Sequence, residues 1–344
     1  MFRPISIEPL AAATATLPSH PTIHLSEAAT DSAAGKAQAP AYTLPPALTG
    51  ERRTLQSKAG SLCYYHAAPG SQEQRTDVPL LLIHSVNAAG SAYEVKPLYD
   101  HYAKWRPVYA LELPGFGGSD RSDRAYTPRL MTDAVHAMVE EIRRLHGEGK
   151  VDAIALSLGS EFLARAAHES SDAFRSIGLV SPTGFKGTGR LDGPAESTRG
   201  MPWLHNFFVR APWSQGLFNA LTKRSVIRYF LNKAWGSKDI DLGLLEYSVA
   251  TTRQPGAKNA PYHFLAGNLF SADITTIYES LKLPVFMVHG ERGDFVDFKG
   301  KSVVAKRPNW LIYEMPTGAL PYFEMPESFV AEYEAFLQNQ VMKA

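Results

Sequence analysis

Residues 151–170 read VDAIALSLGSEFLARAAHES, and their character changes at Ser157. The six residues before the turn are mostly apolar and suit a buried strand, while those after it suit a helix. The chain passes from one to the other at Ser157. Other segments repeat the theme. VPLLLIHS is an unbroken apolar run, WRPVYALELPGFGGSD a second one closed by a Pro/Gly turn, and SIGLVSPTGF, LPVFMVHG and NWLIYEMP supply three more. Unbroken apolar runs of this length mark strands covered on both faces. Between them lie helix patterns. YTPRLMTDAVHAMVEEIRRLHGEGK opens on Thr127-Pro128, places Leu130, Ala134, Met138 and Ile142 on one face, and stops at Gly147. PESFVAEYEAFLQNQ turns Phe329, Val330, Tyr333, Phe336 and Leu337 inward.

Strands alternating with helices predict an α/β fold: a doubly wound, mostly parallel sheet with helices on both faces. TLQSKAGSLCYYHAA adds a hairpin turning at Ala59-Gly60. The alternation lapses between about 186 and 271, where aromatic, helix-prone sequence predicts a helical cap inserted over the C-terminal edge of the sheet. The domain plan is therefore an arm over 1–50, a first core segment over 51–185, the cap over 186–271 and a second core segment over 272–344. The arm is rich in Ala, Thr, Ser and Pro and is predicted to be disordered. Pro4 and Glu8 interrupt what would be the apolar stretch of an export signal.

Composition excludes several classes. Thirty-five Lys and Arg against 34 Asp and Glu leave a net charge of +1, which removes the long-range argument for nucleic acid or an anionic membrane as partner. A single cysteine, Cys63, points to a reducing compartment, and a cytoplasmic location is the expectation. There is no apolar run of about 18 residues, hence no integral membrane segment. Neither metal-ligand spacing nor a nucleotide loop is present, so no metal and no cofactor are expected.

The chemistry is concentrated at strand ends. In ALSLG, Ala155 and Gly159 are the small neighbours that a serine needs at a cramped strand-to-helix turn. The helix N-terminus then directs N–H groups at charge developing beside Ser157. HSVNAAGS follows a core strand and offers the N–H of Val86, with that of Leu158, as a pair of oxyanion donors. His84 in this loop reads as a structural residue.

Elbow, oxyanion loop, LPGFGGSD turn, cap and HGERGDF together resemble the α/β-hydrolase superfamily from about Thr54 onward. The resemblance implies a serine nucleophile at Ser157 and an acid at Asp294, with Asp297 as fallback. It also implies a histidine after the last strand. The matching position is Ala319, in GALPYFEMPE, with Gly318, Leu320, Pro321, Glu324 and Pro326 keeping the pattern around it. A serine hydroxyl is a poor nucleophile unless a neighbour takes its proton. Three explanations stand: a replaced histidine, a natural loss leaving a catalytically silent small-molecule or acyl-binding protein, or a base from elsewhere. His289 is the preferred substitute; His84 and His263 are further histidines, Tyr322 is too weak a base, and Glu161 reads as solvated or ion-paired, or else as a base for Ser157. The implied reaction is acyl transfer from an ester or thioester of an apolar acid, with a lyase or cofactor-free oxygenase as a weaker alternative. The partner is a small hydrophobic ligand bound under the aromatic cap; its identity and the oligomeric state are not encoded in any recognisable way.

Overall fold

A computed structural model describes residues 44–341, apart from 71 and 211. The hairpin is β1 (Glu51–Ser57) and β2 (Gly60–Ala67), followed by β3 (Leu80–Ile83), β4 (Val108–Leu111), β5 (Val151–Leu156), β6 (Phe174–Val180), β7 (Val285–Gly290) and β8 (Trp310–Met315). They form one sheet in the order β1-β2-β4-β3-β5-β6-β7-β8. β2 is antiparallel to both its neighbours, and every other pair is parallel. The helices that cover the sheet are α1 (Lys96–Tyr102), α2 (Pro128–His146) and α3 (Gly159–Glu169). The insertion carries α4 (Pro202–Val209), α5 (Ser214–Leu221), α6 (Arg224–Trp235), α7 (Leu242–Thr251) and α8 (Asn259–Leu265). α9 (Ile274–Ser280), α10 (Pro321–Glu324) and α11 (Pro326–Phe336) complete the fold.

Period-two alternation explains why β3 is apolar throughout. In β3, Leu81 and Ile83 enter one apolar cluster with α2, α3 and α9, while Leu80 and Leu82 enter a second with α1 and α11. Each β3 residue is therefore buried on one face or the other. The α2 boundaries follow the local signals. The Thr127 hydroxyl accepts from the Leu130 N–H at 3.2 Å, and Gly147 leaves the helix with φ +86°. Ala134, Met138 and Ile142 are buried as the spacing predicts, and Met131, Val135 and Val139 widen that face. In α11, Phe329, Tyr333 and Phe336 are buried, as is Leu337 just beyond its end, whereas Val330 is only half-buried.

One boundary differs from the reading of the sequence. Most of the disordered arm predicted over 1–50 lies outside the described residues, but residues 44–50 form a strap packed on the core. Leu44, Ala47 and Leu48 are buried. The strap is held by hydroxyls reaching from afar: the Ala47 N–H donates to the Tyr65 hydroxyl at 2.9 Å, Tyr247 donates to the Pro45 carbonyl and Tyr99 to that of Thr49. No local pattern in LPPALTG encodes partners 18 to 202 residues away.

The segment inserted between β6 and β7 has at its base an antiparallel bridge joining Thr198 to Ser271. Phe218, Ala257 and Tyr262 form its own small core, with Phe208 packed against them. Among the described residues, no helix is long and apolar enough to cross a membrane.

Candidate active site

Ser157 has φ +52°, in the left-handed region that side chains avoid at a cost of about 1–2 kcal/mol. The turn is fastened on both sides. The Ser157 N–H donates to the Val180 carbonyl at 2.8 Å, the Ser157 carbonyl accepts from the Ser160 N–H at 3.0 Å, and the Ser160 hydroxyl donates to the Ala155 carbonyl at 3.1 Å. Gly159 is required by contact: a Cβ there would lie 2.5 Å from the carbonyl oxygen of His84. The elbow is thus pressed against the loop that follows β3. Among the described residues, none hydrogen-bonds the Ser157 hydroxyl.

β3 and β5 are neighbours with Ile83 opposite Ala155. Val86 and Leu158 each stand three residues beyond that pair. Neither N–H has an acceptor among the described residues. Glu94 holds the Val86 loop from below. Its buried carboxylate accepts from the Ser85 N–H at 2.8 Å and the Asn87 amide at 2.7 Å, and its carbonyl accepts from the Tyr322 hydroxyl at 2.9 Å. Burial pushes this carboxyl above its ordinary pKa, and the bonds from Ser85 and Asn87 oppose that. Glu94 was not singled out in the sequence, where its one signal is a lone acid in SAYEV. His84 takes the structural role expected of it. It lies 2.6 Å from the Ser85 carbonyl through Nδ1 and accepts the Leu113 N–H on Nε2 at 3.0 Å, so both nitrogens are engaged. Burial lowers its pKa to about 4.

The Ala319 turn keeps its architecture. The Ala319 N–H donates to the Ala234 carbonyl at 2.8 Å, at the end of α6, and its own carbonyl accepts from the Ser181 hydroxyl at 2.8 Å. Ser181 (φ +44°) directly follows Val180, the acceptor for Ser157. Two successive residues at the end of β6 therefore link the elbow to the Ala319 turn. Ser181 also escaped the sequence reading; a Ser-Pro step at a buried strand's C-terminal end is the signal that could have found it. Glu324 fixes the turn by accepting from the Gly318 N–H at 2.6 Å and from Arg292. The Ala319 methyl packs against the second apolar cluster, which includes Trp235 and Tyr322.

The acids and reserve bases each have partners of their own, and the backbones of Asp294 and Ala319 bond to successive carbonyls of α6, those of Lys233 and Ala234. The Asp294 carboxylate is half-exposed and lies 3.3 Å from the Lys233 ammonium of α6, while its N–H donates to the Lys233 carbonyl at 3.0 Å. Asp297 accepts the Lys299 N–H at 3.4 Å. His289 is buried, stacks on Phe298 at 4.2 Å, and has Nδ1 3.1 Å from the Gly290 carbonyl. Its Nε2 receives the Lys301 ammonium at 2.8 Å, and burial lowers its pKa. The lone pair that a base would use is thus already taken by a cation. His263 contacts Asn268 and lies against His205 at 3.9 Å; burial, then His205, bring its pKa to about 4. Tyr322 is committed to Glu94, and burial raises its pKa well above the ordinary value.

Glu161 follows the ion-paired reading. It is fully buried, accepts from Thr183 at 2.6 Å and from the Ser271 N–H at 2.8 Å, and pairs with Arg199 at 3.1 Å. One helical turn on, Arg165 pairs with Asp273 at 2.5 Å, and Asp273 also accepts the Glu196 N–H. Residues 161 and 165 therefore fasten both roots of the cap to α3. Burial pushes the Glu161 carboxyl up, against the pull of Arg199.

A depression of about 380 Å³ is lined by Leu44, Arg52, Gly118, Arg121 and Gln254. Neither Ser157 nor Ala319 borders it, so the candidate chemistry is located by the turns rather than by this hollow. Among the described residues, no group of three or more His, Cys, Asp or Glu side chains is arranged to hold a metal ion.

Known proteins share this framework. A serine hydrolase involved in carbazole degradation (CarC enzyme) superposes with a TM-score of 0.63 at 15% identity, covering 84% of this chain and 99% of its own. A meta-cleavage product hydrolase from Pseudomonas fluorescens (CumD) gives 0.61 at 15% identity, over 83% and 97%. A thermophilic esterase from Thermogutta terrifontis gives 0.62 at 15% identity, over 85% and 100%. No curated protein matches in sequence. At such identities the superpositions speak for the fold alone. The family model described as alpha/beta hydrolase family, however, matches residues 80–332, more than half of the chain and the span from β3 through most of α11. Sheet order, elbow and family model agree, and the chain belongs to the alpha/beta hydrolase family.

Proposed function

We propose that this protein is a serine hydrolase lacking a general base, acting slowly on an ester or thioester of a largely apolar acid. Ser157 Oγ bonds to the carbonyl carbon, the N–H groups of Val86 and Leu158 receive the developing oxyanion, and the serine proton leaves to solvent. The alcohol or thiol departs, and water then releases the acid. The observation that carries this reading is the left-handed Ser157, its hydroxyl unpaired among the described residues, beside two N–H groups without acceptors. Retaining such a turn is costly for a scaffold that makes no use of it. Asp294 has the task of orienting a histidine at 319 when one is present.

The second reading is a catalytically silent binding protein. It is favoured by the apolar surroundings of Ala319 and by the engagement of His84 and His289 with other partners. Release of p-nitrophenol from short acyl esters separates the two, using the parent, Ser157→Ala and Ala319→His. A slow parent rate that Ser157→Ala removes, and that Ala319→His multiplies, supports the hydrolase. Equal, buffer-like rates for all three leave the binding protein. A fast parent rate abolished by His289→Ala returns the base to β7.

A further inference from the structure

Residues 200–238 contain six cations, Arg210, Lys223, Arg224, Arg228, Lys233 and Lys238, and not one Asp or Glu. The near-zero total for the chain conceals this: the remainder is acidic overall and the cap segment strongly basic. The exclusion of an anionic surface on net charge is therefore too coarse. Arg224 and Lys233 pair with Glu246 and Asp294, but among the described residues no carboxylate pairs with Arg210, Lys223 or Arg228.

The same segment turns large apolar groups outward. Trp203 is 68% exposed, Phe207 53%, Trp213 51% and Phe230 57%. α4 has no buried residue at all. Trp203 and Phe207 are four residues apart on that helix and so share a face. The Phe207 ring lies 5.8 Å from that of Phe208 and 6.2 Å from that of Trp213, which carries the patch across to the start of α5. The cap's own core does not need these side chains, because Phe218 and Tyr262 already fill it. Soluble surfaces scatter single apolar residues rather than clustering aromatics.

We propose that the α4–α6 face docks the cap on an anionic lipid bilayer. Tryptophan and phenylalanine sit among the headgroups, and the unpaired guanidinium and ammonium groups meet lipid phosphates. Two features favour lipid over other occupants. Met201 and Val209 are also exposed apolar groups and cannot stack on a nucleic-acid base. A second copy would bring like-charged surfaces together. The proposal does not depend on the chemistry at Ser157, because its readout is binding.

The full chain is sedimented with phosphatidylcholine vesicles and with vesicles that also contain phosphatidylglycerol. The expected result is binding to the second kind, weakened by salt and accompanied by a blue shift of tryptophan emission. Arg210→Glu with Arg228→Glu weakens binding by more than about tenfold. Trp203→Ala with Phe207→Ala weakens it about tenfold and reduces the blue shift. Circular dichroism establishes that each pair of exposed substitutions leaves the fold intact. Four outcomes overturn the proposal: no binding to anionic vesicles, binding unmoved by either pair, a stable dimer that buries the patch, or an oligonucleotide that displaces vesicles from the same residues.

Discussion

Two turns at the same edge of the sheet, one at Ser157 and one at Ala319, were treated differently. Both are held by exact-fitting glycines and by hydrogen bonds to neighbouring strands. Gly159 abuts the His84 carbonyl, and Gly318 abuts the backbone of Trp235. At Ser157 the hydroxyl is present and has no partner among the described residues; at Ala319 the turn is clamped by Glu324 on Gly318, and the side chain is a methyl. Backbone architecture and catalytic chemistry are therefore separable in this fold. The Ala319 turn is held by contacts that its neighbours make, so its packing does not depend on the side chain at 319.

The largest expected effect tests that separation. Ala319→His raises the rate of ester cleavage by about 10²–10⁴-fold, the usual worth of a positioned general base, and Ser157→Ala removes the gain. Unchanged p-nitrophenol release in a folded variant would show that the frame has drifted from the elbow as well.

Next is acid sensitivity on the elbow side. His84 when unfolded takes up a proton near its ordinary 6.5, whereas in the fold it resists protonation down to about 4. The unfolded state binds more protons in that window, so stability falls as pH drops from about 6.5 to about 4, by a total of about 3 kcal/mol from this residue. Urea unfolding of the parent and His84→Gln at both ends of the window isolates the effect as the difference between their slopes.

Smaller still is the relief of strain. Ser157→Gly removes the side chain from the left-handed region and should stabilise the fold by about 1 kcal/mol while abolishing activity, read by thermal unfolding and ester assay. The smallest effect belongs to Asp294→Asn. In the parent it changes stability by less than about 1 kcal/mol, because the pair with Lys233 is solvent-exposed. In the Ala319→His background it should lower the rate at least about tenfold, since only then is there an imidazole to orient. Equal rates with and without the carboxylate in that background would remove Asp294 from the site.

Much of the fold was legible because its signals are local. The unbroken apolar strands, the Thr127-Pro128 helix start and the ALSLG turn each depend on residues within a few positions of one another. The ion-paired reading of Glu161 and the structural reading of His84 were legible as well, being the outcomes that burial favours. Glu94 and Ser181 were not: each acts through partners that become neighbours only when β3, β6 and the Ala319 turn are assembled. The strap over 44–50 escaped for the same reason. The aromatic residues of 186–271 suggest walls for a hydrophobic ligand. Phe218 joins the small core of that segment, while Trp203, Phe207 and Phe230 face outward, and helical spacing cannot tell inward from outward when apolar residues surround a helix.

The sequence by itself determined the order of strands and helices, the place of the strained serine and the alanine at 319, because periodicity, steric size and residue identity are properties of short segments. Tertiary structure alone decided which carboxylate pins which loop, which histidines have their nitrogens engaged and which face of the cap meets solvent. Those outcomes depend on burial and on partners contributed by distant parts of the chain, which no short segment specifies.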